Sequence, residues 1–121
     1  MRQCVWMGLA CSLAACNKSS TSPTDTVQTN TVTITSSGIS PKSNQISVGS
    51  RVKFVNNDSR SHDMTSDPHP EHTLCPEINQ VGFLAAGQSR ETGNLVTTRT
   101  CGYHDHDNPG ATSLQGNIVI K

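Results

Sequence analysis

From residue 31 to the C-terminus, apolar side chains recur at alternate positions, and no stretch shows the longer interval of an amphipathic helix. "TVTIT" alternates Val32 and Ile34 with threonines, and "NQISV" sets Ile46 and Val48 on one face before Gly49-Ser50 turns the chain. "RVKFVN" carries Val52 and Phe54 on one side with Val55 opposite, and "GNIVIK" ends the chain with Ile118 and Ile120 on a common face. Between them "VGFLAAGQS" predicts a strand with a Gly turn, and "NLVTT" predicts a further strand. A strand points successive side chains to opposite faces, so each of these segments has one face to bury and needs another layer to bury it against. Short strands punctuated by Gly, Pro and Asn predict an all-β, antiparallel Greek-key β-sandwich. At 121 residues the chain has room for one such domain.

The first fifteen residues lie outside this pattern. "MRQCVWMGLACSLAAC" places Arg2 ahead of an apolar run from Val5 to Ala15, too short to span a bilayer as a helix, and reads as a secretory signal over residues 1–15. Its end, Leu13-Ala14-Ala15-Cys16, resembles the bacterial lipobox, which implies cleavage before Cys16 and lipid modification of that thiol; an ordinary signal cut at Ala15 is the alternative. Residues 16–30 then form the anchored cysteine and a tether. "NKSSTSPTDTVQTN" holds one aliphatic residue, Val27, and cannot bury enough apolar surface to offset its ordering entropy. The domain proper is expected over 31–121. Asn17 and Lys18 follow the cysteine where an inner-membrane retention signal would carry Asp, so the expected address is the periplasm-facing outer membrane of a bacterial cell envelope.

Formal net charge is zero and no basic stripe is present, which argues against a nucleic-acid partner. Aromatic residues make up only 3% of the chain, so a small sandwich built from it would benefit from a covalent or metal staple. Cys75 and Cys101 remain once the signal and Cys16 are set aside. In an oxidising compartment such a pair predicts a disulfide, closing a loop of roughly 25 residues for about 3 kcal/mol on the chain-entropy model; a thiolate metal ligand is the alternative.

All five histidines fall between residues 62 and 106: His62, His69, His72, His104 and His106. His69 and His72 flank Pro70 in "SDPHPEHT", a loop because Pro68 and Pro70 forbid regular backbone bonding. His104 and His106, two apart in "GYHDHDNP", project from one face if the strand persists through them. Imidazole is a common ligand for copper, zinc and iron, and Asp63, Asp105 or Asp107 can orient a ring by accepting from its other nitrogen.

"SVGSRVKFVNNDSRSHDMTSD", "GFLAAGQS", "YHDHDNP" and "LQGNIVIK", in that order, resemble the landmarks of cupredoxins, the blue-copper family. The resemblance covers about residues 31–121. It implies that "VKFVNN" leads to the first copper-binding histidine, His62, and that Gly82, Leu84, Gly87 and Ser89 form the hairpin that follows. The family closes with Y-x-C-x-x-H-P, then a Met before the terminal strand. Here Tyr103 and Pro109 match, but Asp105 stands in the Cys position, Asn108 in that of the second His and Leu114 in that of the axial Met. Only His62 of the four ligands carries over, and without a thiolate an ordinary blue site is not expected.

"SDPHPEHT" together with "YHDHDNP" is similar to a group of bacterial cupredoxin-like secreted proteins with a like "HDH" ending. That resemblance implies a different assembly, in which the turn at His62 and the end of the Tyr103 strand meet at one pole of the sandwich. Loop 66–76, held by a Cys75–Cys101 bridge, would fold over that pole. His62, His104 or His106, and one of His69 and His72 would then form a nitrogen cluster, with Asp105 as a carboxylate ligand. Strand alternation sets Tyr103 and Asp105 opposite His104, so all can converge only if the strand ends there. The expected function is copper binding at a non-blue site on a lipid-anchored envelope protein, with zinc or iron also accepted by such ligands. The role would be copper carriage or electron transfer, with a copper-exchange or redox protein as partner. A metal-free interaction module of the envelope is the alternative. No nucleophile elbow, phosphate loop or distinctive general-base pair points to an enzyme.

Overall fold

The computed structural model describes residues 26–121; the expected signal segment, Cys16 and the expected tether up to residue 25 lie outside the described residues. Among the described residues, ten strands form two facing sheets. They are β1 Val27–Gln28, β2 Thr31–Thr35, β3 Gly38–Ser40, β4 Ser43–Ile46, β5 Lys53–Asn56, β6 His62–Ser66, β7 Gly82–Leu84, β8 Ser89–Glu91, β9 Arg99–Asp105 and β10 Gly116–Ile120. The larger sheet runs β1-β4-β10-β9-β6-β7 and the smaller β3-β2-β5-β8, with short 3₁₀ turns at Pro76–Gln80 and Thr112–Leu114.

The two-residue period does what the alternation predicts. Val32, Ile34, Val52, Phe54, Ile118 and Ile120 all point into the space between the sheets, each at most 1% exposed. Phe54 from the small sheet meets Tyr103 from the large one edge to face, ring centres 5.0 Å apart, and this pair joins the two layers. Met64, Ile78, Leu84 and Leu95 fill the space around them.

Four local expectations change. The sandwich holds mixed sheets rather than antiparallel ones, since β1 with β4, β10 with β4 and β2 with β5 pair in parallel. The chain crosses between sheets at β3–β4 and β4–β5, so strands that meet within a sheet return in the same direction. Val48 does not share the buried face of Ile46, because β4 stops at Ile46 and leaves Val48 49% exposed. "NLVTT" forms no strand: Leu95 is buried and makes a single bridge to Ser50, while Val96 faces outward. The sandwich also begins before residue 31, for β1 lies on β4 and the Asn44 side chain donates to the carbonyl of Thr29.

Cys75 and Cys101 form a disulfide, both sulfurs buried, linking the end of the 67–75 loop to the middle of β9. The bridge spans a sequence separation of 26 and closes across the sheet what would otherwise be a long excursion. We expect the Cys75→Ser, Cys101→Ser double variant to lose about 3 kcal/mol of stability, a fall of roughly 10–20 °C in Tm for a domain of this size. Thermal unfolding followed by circular dichroism measures it, and a fall of only a degree or two would contradict this reading of the bridge.

Candidate metal centre

The pairing of β6 with β9 sets Met64 opposite Asp105, Thr65 opposite His104 and Ser66 opposite Tyr103. Directly paired residues share a face, and successive residues alternate. Met64, Tyr103 and Asp105 therefore point into the sandwich, whereas Thr65 and His104 point out of it. The ladder runs one step further at each end, through His106 N to the Asp63 carbonyl and Asp67 N to the Gly102 carbonyl. His106 thus stays in register with His104, as the spacing in "HDH" requires if the strand continues.

On the inner face, His62 is 2% exposed and lies between two carboxylates. Its Nδ1 is 2.7 Å from Asp105 Oδ2 and its Nε2 is 2.8 Å from Asp58 Oδ2. A carboxylate oxygen thus stands within hydrogen-bond reach of each ring nitrogen. Asp105 Oδ1 accepts from the backbone of Asp63 and Asp107, so that carboxylate is fully engaged. The Asn56 side chain holds the turn in place: its amide donates to the carbonyls of Arg60, Leu84 and Ala85, and its oxygen accepts from Asp58 N. Asn108 is exposed and Leu114 belongs to the core. The position at which the resemblance puts the first copper ligand is thus filled by a histidine with both ring nitrogens bonded to carboxylates, and the residues there do not fit a metal.

On the outer face, the 67–75 loop folds over β9 and brings His69 and His72 to His104. One ligand nitrogen from each lies within 4.8 Å of the others. His62 stands on the far side of the sheet from this group, so the gathering of His62 with the other histidines at one pole does not occur. The reason is the alternation of β9, which sends Asp105 inward to His62 and His104 outward to the loop.

Two of the three rings have Nδ1 held by an acceptor, which leaves the lone pair on Nε2; that of His104 has no partner among the described residues, and that of His72 faces His106 Nδ1 at 2.9 Å. His104 Nδ1 lies 2.5 Å from Asp67 Oδ1, and a carboxylate can only accept, so the proton is on Nδ1. His72 Nδ1 lies 2.8 Å from the Ser66 carbonyl and likewise donates. A hydrogen bond at one ring nitrogen that fixes the lone pair at the other is the usual support of a metal-binding histidine. His104 Nε2 is buried with no partner among the described residues, as is the neighbouring Thr65 Oγ1. An orphaned imidazole nitrogen beneath a polar loop is costly unless something coordinates it. His72 adopts a left-handed backbone at φ 56, which costs a non-glycine residue about 1–2 kcal/mol. His72 N to the Pro68 carbonyl, and Asn79 to the His72 carbonyl, hold it there. His69 is exposed; desolvation by its neighbours, then the charges of His106, His104 and His72, push its imidazole below the ordinary value, with Glu71 opposing. These residues fit a metal ion bound through imidazole nitrogen.

Four supports of the two clusters were not visible as such in the sequence. Asp67 sits within "SDPHPEHT", and its acid beside a proline-bounded histidine was the available signal. Asp58 precedes His62 by four residues. The Ser66 carbonyl is backbone and leaves no mark. Gly102 lacks the Cβ that would strike Asp67 Oδ2, so the carboxylate can lie flat over β9 and reach His104.

The hydrogen bond from His62 holds the Asp58 carboxyl below its ordinary value of 3.8, outweighing burial, which raises it; Ser59 N, Arg60 and the charge of His62 act in the same direction as the bond. A carboxyl held low in the folded state contributes stability above its unfolded value and loses it as pH falls through the lower folded one. We expect Asp58→Asn to reduce the urea midpoint at about pH 6, with the gap to the wild type narrowing at acid pH below the ordinary aspartate range. A gap of constant size down to about pH 2 would contradict the pairing.

No protein-family model matches the sequence, and no curated protein matches it. Solved structures do. A purple cupredoxin from Nitrosopumilus maritimus superposes with a TM-score of 0.61 at 18% identity, covering 77% of this chain and 100% of that one. Oxidised plastocyanin from Dryopteris crassirhizoma gives 0.59 at 17%, covering 75% and 99%. The Cu-containing nitrite reductase of Thermus scotoductus gives 0.55 at 22% over 75% of this chain and 22% of that chain. Strand order, the two-layer core and these superpositions agree: the chain folds as a cupredoxin-like β-sandwich.

Proposed function

We propose that this protein binds copper through His69, His72 and His104 and serves copper carriage in the bacterial cell envelope, held at the membrane by a lipid on Cys16. The observation that carries the reading is the convergence of three imidazole nitrogens within 4.8 Å, two of them with the tautomer set by Asp67 and Ser66. The copper proteins among the superposing structures add support for copper over other metals. Nitrogen ligation also suits zinc and iron. Both cysteines of the domain are spent in the disulfide, so no thiolate is available for an intense blue centre.

Carriage is favoured over electron transfer by the asymmetry of the site. His104 is buried and His72 half-buried, but His69 is exposed on a loop, so a partner protein can reach the metal and exchange ligands. Bound there, copper would supply a cation to be passed to a copper-exchange partner. The chain's own residues fix the lone pairs and keep bulk water from His104.

Titration of the full-length protein with Cu(II), followed by visible absorption and EPR, tests the reading. We expect one equivalent to bind with a weak, non-blue spectrum and nitrogen hyperfine structure. His104→Ala should weaken binding by roughly tenfold or more, as losing a ligand exceeds the 10–100-fold cost of losing its support. Failure of both copper and zinc to bind would contradict the proposal and favour a metal-free interaction module. Reversible voltammetry of the loaded protein without ligand loss would instead favour electron transfer.

A further inference from the structure

The site has a fourth histidine within reach that the three-ligand set leaves aside. We propose that His106 is a further ligand, making the centre a four-imidazole site; this rests on the His69–His72–His104 reading. Its Nδ1 lies 2.9 Å from His72 Nε2, so the two ring nitrogens face each other at the distance over which one proton is shared. His72 donates from Nδ1 to the Ser66 carbonyl, which leaves Nε2 as an acceptor. His106 Nδ1 therefore carries the proton and donates to it. Two nitrogens that share one proton can share one cation in its place.

Ring spacing agrees. His69 stands 5.4 Å from His72, 5.5 Å from His104 and 5.1 Å from His106, centre to centre. His72 stands 5.1 Å from His104 and 5.0 Å from His106. An imidazole held through nitrogen at about 2.0–2.1 Å has its ring centre roughly 3.2 Å from the metal, so four in a tetrahedron stand about 5 Å apart. Five of the six ring pairs match that spacing without rearrangement of the backbone. The ladder bond from His106 N to the Asp63 carbonyl at 2.7 Å fixes where the fourth ring starts.

Proton accounting is simple. When the cation takes the His72 lone pair, the proton on His106 Nδ1 leaves to solvent or returns to Nε2 of the same ring, and the freed Nδ1 lone pair binds. In the absence of metal the same hydrogen bond satisfies both rings, so the site is closed upon itself and opens at His106.

The test uses Cu(II) alone with full-length wild-type protein and the His106→Ala, His106→Gln and His104→Ala variants. Pulsed EPR counts coordinated imidazoles, and competition with a chelator gives affinity. Four imidazoles in the wild type, three in both His106 variants, and affinity reduced by roughly tenfold or more are expected. An unchanged imidazole count and affinity in the His106 variants, with His104→Ala still impaired, would overturn the fourth ligand and leave the three-histidine reading intact. A rise in affinity would also overturn it, making His106 a competitor for His72. Absence of binding by the wild type would overturn both.

Discussion

The alternation of a single strand governs this molecule. Along β9, Cys101, Tyr103 and Asp105 face the core while Gly102 and His104 face outward, and the pairing with β6 carries the same division across two strands. Tyr103 closes the core against Phe54, and Asp105 meets His62 beside it. On the reverse of the same strand, His104 meets the loop. Two histidine-carboxylate constellations thus lie back to back, one sealed within the fold and one turned toward solvent.

The inner constellation answers what becomes of a cupredoxin pole without its thiolate, second histidine and methionine. An imidazole between two buried carboxylates keeps the polar groups there paired, since both ring nitrogens of His62 and both carboxylate oxygens of Asp105 have a partner. Buried charge is tolerated only when so paired. The outer constellation is different in kind, since His104 Nε2 has no partner among the described residues and His72 holds an uncommon backbone conformation. Strain and an orphaned nitrogen at one place are the features of a binding site rather than of a stability element. The disulfide and the Ser66 hydroxyl, which accepts from Cys75 N, fasten the loop that carries both.

Much of the fold was legible because its strands are amphipathic: Val32 and Ile34, Val52 and Phe54, Ile118 and Ile120 declare their faces by period alone. Val48 misled because apolar identity does not say where a strand stops, and Leu95–Val96 because one buried residue with a single bridge mimics a strand start. The disulfide was legible from the pair Cys75 and Cys101. Cys16 and its expected lipid modification fall outside the described residues. At the site, the sequence reading grouped His62 with the other histidines, whereas His69, His72 and His104 converge on the opposite face, because the grouping depends on which face each one takes. The alternation argument in "YHDHD" already separated Asp105 from His104; what the sequence lacked was the partner of each. Asp58 and Asp67 supply those partners, and neither lies next to its histidine in the chain.

The central claim is that metal binds on the outward side of β9 and not at the pole where cupredoxins hold copper. Anomalous diffraction at the copper edge from crystals of the copper-loaded protein tests it most directly. The account predicts one strong peak among His69, His72 and His104. A peak beside His62 and Asp105, with Asp58 displaced, would contradict it.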